Sequence, residues 1–152
     1  MLQRIQTIYW FLAFVLNILF FFLPIGEVKN AENEVYTAFY RGMETSGGEL
    51  IFAAYPVAIL FTVVAVLLCV TIFIYKKRTL QMRFSIFNML LLVGGIGLMY
   101  FYGFVAFEEI ENAETSFGIA ATFPLIEIIF IYLGFKGVQK DALMLLAADR
   151  IR

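Results

Sequence analysis

Glu127 is the one formally charged side chain inside the four long apolar stretches of this chain, and it is the residue best placed to do proton chemistry. An ionised carboxylate is costly in hydrocarbon, so such an acid is protonated, paired or in contact with a water-filled path. No lysine or arginine lies at matching depth in the other stretches. A neutral, hydrogen-bonded acid is the economical reading. It has two uses: a carboxyl that couples proton or substrate movement, or a structural hydrogen bond across a bundle or to a partner subunit. Asn17 and Thr62 are the polar groups at similar depth. Pro124 cannot donate to the carbonyl of Ala120, which leaves an acceptor free one turn from the glutamate region.

Other chemistry is sparse. The single cysteine, Cys69, can form no internal disulfide and supplies no pair for thiol–disulfide exchange. The chain has no histidine, so this subunit alone offers no histidine-ligated haem, copper or zinc. No nucleophile and base stand at a recognisable spacing, and the expectation is a protein that is not an enzyme, with no cofactor and no metal. The acidic segment 108–114 carries carboxylates of the kind hard cations take, but its spacing matches no calcium loop and it reads as a solvated loop. Gly94, Gly95 and Gly97 lack the G-x-x-x-G spacing; they read, with Pro124, as helix-packing positions, because small residues let backbones approach in lipid. Phenylalanine-rich runs read as packing and lipid-facing surface; aromatic content alone is no sign of a quinone or pigment.

The elements that position these residues follow from composition. Hydrophobic residues make up 62% of the 152 and charged residues 15%, whereas a water-soluble domain carries about 25% charged residues to solvate its surface. The charges cluster between apolar stretches at about 5–24, 51–75, 84–107 and 116–135, each long enough to cross a hydrocarbon layer of roughly 30 Å. The first is too long for a signal peptide and ends without a small-residue cleavage site, so it is expected to be retained. The expected fold is an all-α membrane protein: four transmembrane helices as two hairpins, with a cytoplasmic tail helix over 136–152, all in one membrane domain over 1–152. Segment 25–50 is left between two forms. Residues 35–40 pair as a strand with 49–52 across Thr45-Ser46-Gly47-Gly48, or form one amphipathic helical turn, because so short a run fits both periods.

Charge sorting sets orientation. Lys76, Lys77, Arg78 and Arg83 crowd one central turn, and Arg4, Lys136, Lys140, Arg150 and Arg152 fall on the same side of the hairpins. The opposite loops carry Glu27, Glu32, Glu34, Glu44, Glu49, Glu108, Glu109, Glu111 and Glu114 against Lys29 and Arg41. Positive charge in short loops marks the cytoplasmic face, so both termini are expected inside the cell. The net charge of −1 conceals this sorting and gives no basis for a nucleic-acid partner. In the tail, residues 142–148 are apolar all round as a helix and need cover on more than one side. Leu143, Met144 and Leu146 are the expected partner-binding residues.

The opening Met1-Leu2-Gln3-Arg4-Ile5-Gln6-Thr7-Ile8-Tyr9, with Gln139-Lys140-Asp141 and the closing Ala148-Asp149-Arg150-Ile151-Arg152, resembles the end signatures of a family of small four-helix inner-membrane proteins of the Bacteroidota, a domain of unknown function. The resemblance implies a protein of the bacterial cytoplasmic (inner) membrane and implies no activity. The chain departs from that pattern at 142–148, apolar where the family bears charge. Two functions are expected to compete. The first is a non-enzymatic accessory or structural subunit that packs against a larger inner-membrane complex within the lipid bilayer. The alternative is a small proton-coupled transporter or channel using Glu127.

Overall fold

The computed structural model describes residues 2–29, 34–74, 77–108 and 114–150. In chain order it runs α1 (Leu2–Phe22), β1 (Gly26–Lys29), β2 (Val35–Phe39), β3 (Gly42–Thr45), β4 (Leu50–Ala53), α2 (Tyr55–Phe73), α3 (Arg78–Glu108), β5 (Glu114–Phe117), a 3-10 turn (Ile119–Thr122) and α4 (Phe123–Arg150). All four α-helices are long and apolar enough to cross a membrane. Pro56 sits in the first turn of α2, where a missing N–H loses no helical bond. The basic turn is shorter than its sequence suggests, because α3 already begins at Arg78 and takes Thr79, Gln81 and Arg83 into its first turns. The fourth span and the tail helix are one unbroken helix.

On every helix the buried positions recur at spacings of four and three. They are Gln6, Trp10, Ala13, Asn17 and Phe20 on α1, and Val57, Phe61, Val64, Leu68 and Thr71 on α2. On α3 they are Gln81, Ser85, Asn88, Leu92 and Gly95, and on α4 Phe123, Glu127, Ile131, Gly134 and Val138, with Pro124 buried beside Phe123 in the first turn. That repeat is the seam of knobs-into-holes packing. α1 packs against α2 and α4, and α3 packs against the same two, which closes the helices into a square. Phe20 stacks on Phe61 with ring centroids 4.3 Å apart, joining α1 to α2 beneath the strands. The outward faces are equally apolar: Ile59, Val66, Leu90, Val93 and Ile129 are exposed.

The all-α expectation is overturned. Five strands form one antiparallel sheet in the order β4-β3-β2-β1-β5, so the fold is mixed, a four-helix bundle capped at one end by a sheet. Segment 35–40 is a strand, but its partners are β1 and β3, and it is β3 that pairs with β4 around the Thr45–Glu49 turn. There the Gly48 N–H donates to the Thr45 carbonyl at 2.9 Å and the Glu49 N–H to Thr45 Oγ1 at 3.2 Å. The fifth strand comes from the other loop, with Ser116 opposite Glu27. Strands of four or five residues are marginal on their own. Here Val28 and Met43 are buried, with Tyr36, Ala38 and Phe52 packed around them, while Glu27 and Lys29 stay exposed. That alternation, apolar in and polar out, is the mark of a sheet with one covered face.

Gly42 opens β3 after the two-residue turn Tyr40-Arg41 and has φ +142°, a conformation L side chains rarely adopt. A Cβ there would also overlap the Phe52 carbonyl. Gly42→Ala is expected to destabilise the cap by at least about 1–2 kcal/mol. Hydrogen exchange checks it: the β3 and β4 amides should exchange faster while α2 and α3 keep their protection.

Candidate functional site

Glu127 lies four residues into α4, roughly 6 Å along the helix from Phe123. It therefore sits toward the sheet end and not at the centre of the fourth span. Asn17 stands at the matching level on antiparallel α1, five residues before its end. Both side chains are fully buried, and Asn17 Nδ2 donates to Glu127 Oε2 at 3.1 Å. The pair's other atoms, Asn17 Oδ1 and Glu127 Oε1, have no partner among the described residues. An amide and a carboxylate can make one such bond; an amide and a carboxylic acid can make two, the acid O–H donating to the amide oxygen. The structure shows the first of these bonds and leaves both atoms of the second unpartnered among the described residues.

Further polar groups continue the same seam away from the sheet. Asn88, fully buried on α3, has neither its Nδ2 nor its Oδ1 partnered, and Trp10 Nε1 is also without a partner among the described residues. Beyond them Ser85 Oγ donates to the Gln81 carbonyl at 2.9 Å, and Gln81 Nε2 to the Thr71 carbonyl at 3.1 Å. Thr71 Oγ1 bonds back to the Leu67 carbonyl at 2.6 Å, and Gln6 Nε2 donates to Asp141 Oδ2 at 2.7 Å. The end far from the sheet is therefore cross-linked by satisfied bonds. Glu127, Asn17 and Asn88 keep unused bonding capacity, which in a low-dielectric interior is costly unless a water, a proton or a ligand group takes it.

Other expected positions fall elsewhere. Thr62 is exposed and donates to its own helix, to the Ala58 carbonyl at 2.7 Å, so it takes no part in the pair. Of Gly94, Gly95 and Gly97 only Gly95 faces a neighbour, where an added Cβ would stand 3.0 Å from Leu60 and Phe61; Gly94 and Gly97 face open space. The close helix approach is instead at Gly134 and Gly137 on α4, where a Cβ would come within 2.8 Å of the Trp10 indole and 2.7 Å of Gln6. Pro124 does not break a helix. It is buried in the first turn of α4, and the Ala120 carbonyl accepts the Phe123 N–H, so no acceptor is left free there. Leu143 and Met144 are exposed on α4 just past the Gln6–Asp141 bond. The side chain of Leu146 lies outside the described residues, as do Lys76, Glu109, Glu111, Arg152 and with them most of the acidic 108–114 segment.

A seam of buried polar groups inside four helices of membrane-crossing length, closed at one end by an antiparallel sheet, defines a small multi-helix protein with polar side chains between its helices and apolar ones on their outward faces. The chain belongs to the DUF4293 family, a domain of unknown function, whose family model matches residues 2–151. A search of curated proteins finds no match.

Proposed function

We propose that this protein is a non-enzymatic, multi-pass subunit of the bacterial cytoplasmic membrane that packs against a larger membrane complex. The observation that carries the reading is the last part of α4, where Leu143 and Met144 are exposed just past the Gln6–Asp141 bond. Apolar side chains displayed together past that bond are what a partner protein covers. The charge sorting supports the orientation: Lys77, Arg78 and Lys140 lie at the far end, and Glu27, Glu34, Glu44 and Glu49 at the sheet end, which would put the sheet outside the cytoplasm. The likeness of the chain ends to Bacteroidota inner-membrane proteins supports the same membrane.

Isolation of the native protein in mild detergent tests the proposal. A stoichiometric larger complex should co-purify, and deleting residues 143–152 should leave the four helices inserted while that complex is lost. Retention of the truncated chain at unchanged stoichiometry would move docking to another surface. Orientation has its own check in a Cys69→Ala background. Ser46→Cys, exposed at the β3–β4 turn, should react with a membrane-impermeant thiol reagent on intact cells from which any outer barrier has been removed, and Thr79→Cys should not. The reverse pattern would invert the topology.

A second reading, a small proton-coupled transporter or channel, draws support from one observation: Glu127 Oε1 and both polar atoms of Asn88 have no partner among the described residues and lie in the same seam. Protonatable and polar groups of that kind inside helices mark proton relays.

A further inference from the structure

Between the sheet and the end of the bundle lies a partly open cavity of about 160 Å³ that the polar seam does not use. Its inner wall is apolar and comes from three layers: Met43 and Phe52 of the sheet, Val57 of α2, and Ile96 and Met99 of α3. An apolar cavity of about 150 Å³ is large enough to take benzene, so this one has room for a chain segment of roughly six carbons. Methionine side chains adapt to irregular occupants, and no buried polar side chain in this wall would hold a hydrophilic solute. The rim is different. Its exposed members are Tyr100 (69%), Phe117 (67%) and Leu125 (55%), with Glu27 and Ser116 beside them. Tyr100 and Phe117 stand with ring centroids 6.5 Å apart, and their surface continues into exposed Phe101 and Ile129 on the sides of α3 and α4. The opening thus meets the apolar outer surface of the helices, with polar groups only at the level of the sheet.

We propose that this cavity binds one hydrocarbon chain, which enters past Tyr100, Phe117 and Leu125 from a lipid whose head group stays at the level of the sheet. The occupant follows from the two-part lining: an apolar chamber that opens sideways onto the apolar belt accepts a chain already in that belt, and Glu27 and Ser116 meet the polar end. The inference rests on the reading that the helices lie in a bilayer. It is independent of the partner complex and of any role for Glu127.

The test uses the full-length chain in vesicles of phosphatidylethanolamine and phosphatidylglycerol containing a phospholipid with a photoreactive diazirine at the end of one acyl chain. A parallel arm carries the diazirine at the end of an isoprenoid chain. Adducts on Met43, Phe52 or Met99 are expected, and the arm that gives them identifies the source as acyl or isoprenoid. Leu125→Trp narrows the opening without adding bulk to the interior, and Ala121→Phe fills the chamber. Either should remove most of the cavity adducts and leave those on outward-facing Ile59, Val66 and Leu90 unchanged. If Ala121→Phe fails to fold, Leu125→Trp alone decides. Outward adducts without cavity adducts in both arms would overturn the proposal, as would cavity adducts indifferent to a folded variant. Cavity adducts without outward ones would support the chain site and overturn the bilayer reading, and the absence of both would overturn the two together.

Discussion

Glu127→Lys is expected to abolish accumulation of the folded protein, whereas Glu127→Gln leaves it folded and abundant. The lysine would place an ammonium in a fully enclosed position where the hydrogen-bond partner among the described residues, Asn17 Nδ2, is a donor, leaving at best the one amide oxygen of Asn17 to meet three N–H groups. Against a chain held by packing, that is a loss of about 3 kcal/mol or more. The glutamine keeps the shape and still offers an oxygen to Asn17 Nδ2, so its cost should stay within about 1 kcal/mol. Abundance in membranes and thermal unfolding in detergent measure both. The same glutamine variant separates the two functional readings. An accessory subunit retains its complex, because the bond survives. A proton-coupled transporter loses transport in reconstituted vesicles under an imposed proton gradient, because an amide cannot take up and release the proton. Survival of gradient-driven transport in Glu127→Gln would remove Glu127 from any coupling mechanism.

Gly134→Leu is expected to lower thermal stability nearly as far, by forcing α1 away from α4. At Gly134 even a Cβ would lie 2.8 Å from two atoms of the Trp10 indole. That ring is rigid and 1% exposed, so it has no empty space to turn into. Overpacking of this kind costs up to about 3 kcal/mol, which for a chain of this length corresponds to roughly 6–12 °C in Tm. Gly94→Ala and Gly97→Ala are the internal controls. Nothing lies within 4 Å of an added Cβ at either site, and alanine is the better helix former. Both should be neutral or slightly stabilising. A Gly134 variant as stable as these controls would mean that the α1–α4 interface is not tightly packed at Trp10.

These contrasts explain why the seam was hard to read from the chain. In a water-soluble bundle the buried face shows itself as an apolar stripe against a polar one. Here Ile59 and Val66 face outward and Phe61 and Val64 inward, with no difference in residue type to tell them apart. The usable signal was the reverse one. Gln6, Asn17, Thr71, Gln81, Ser85 and Asn88 all turn inward, because a polar group has more to gain from other polar groups than from hydrocarbon. Read as the markers of a stripe and not as interruptions, they align with Glu127 at the spacing of the seam. Thr62 shows the limit of that signal, since a hydroxyl can satisfy itself on its own helix and face outward.

By itself the sequence determined the number of long apolar helices, the segregation of acidic and basic loops to opposite ends, and Glu127 as the isolated buried acid. These are properties of local composition, legible because an apolar run of sufficient length has few other ways to satisfy its backbone than as a helix. The tertiary structure decided that Asn17 is the residue bonded to Glu127, that Gly134 and Gly137 make the close helix approach in place of Gly94 and Gly97, and that two separate loops build one sheet. Strand β1 is four residues long and finds one of its partners, β5, only after two helices have intervened. Neither strand carries enough apolar surface to form alone. Pairing between them becomes favourable only when the closed helical square brings both loops to the same end, where Val28 and Met43 are buried together with Tyr36, Ala38 and Phe52.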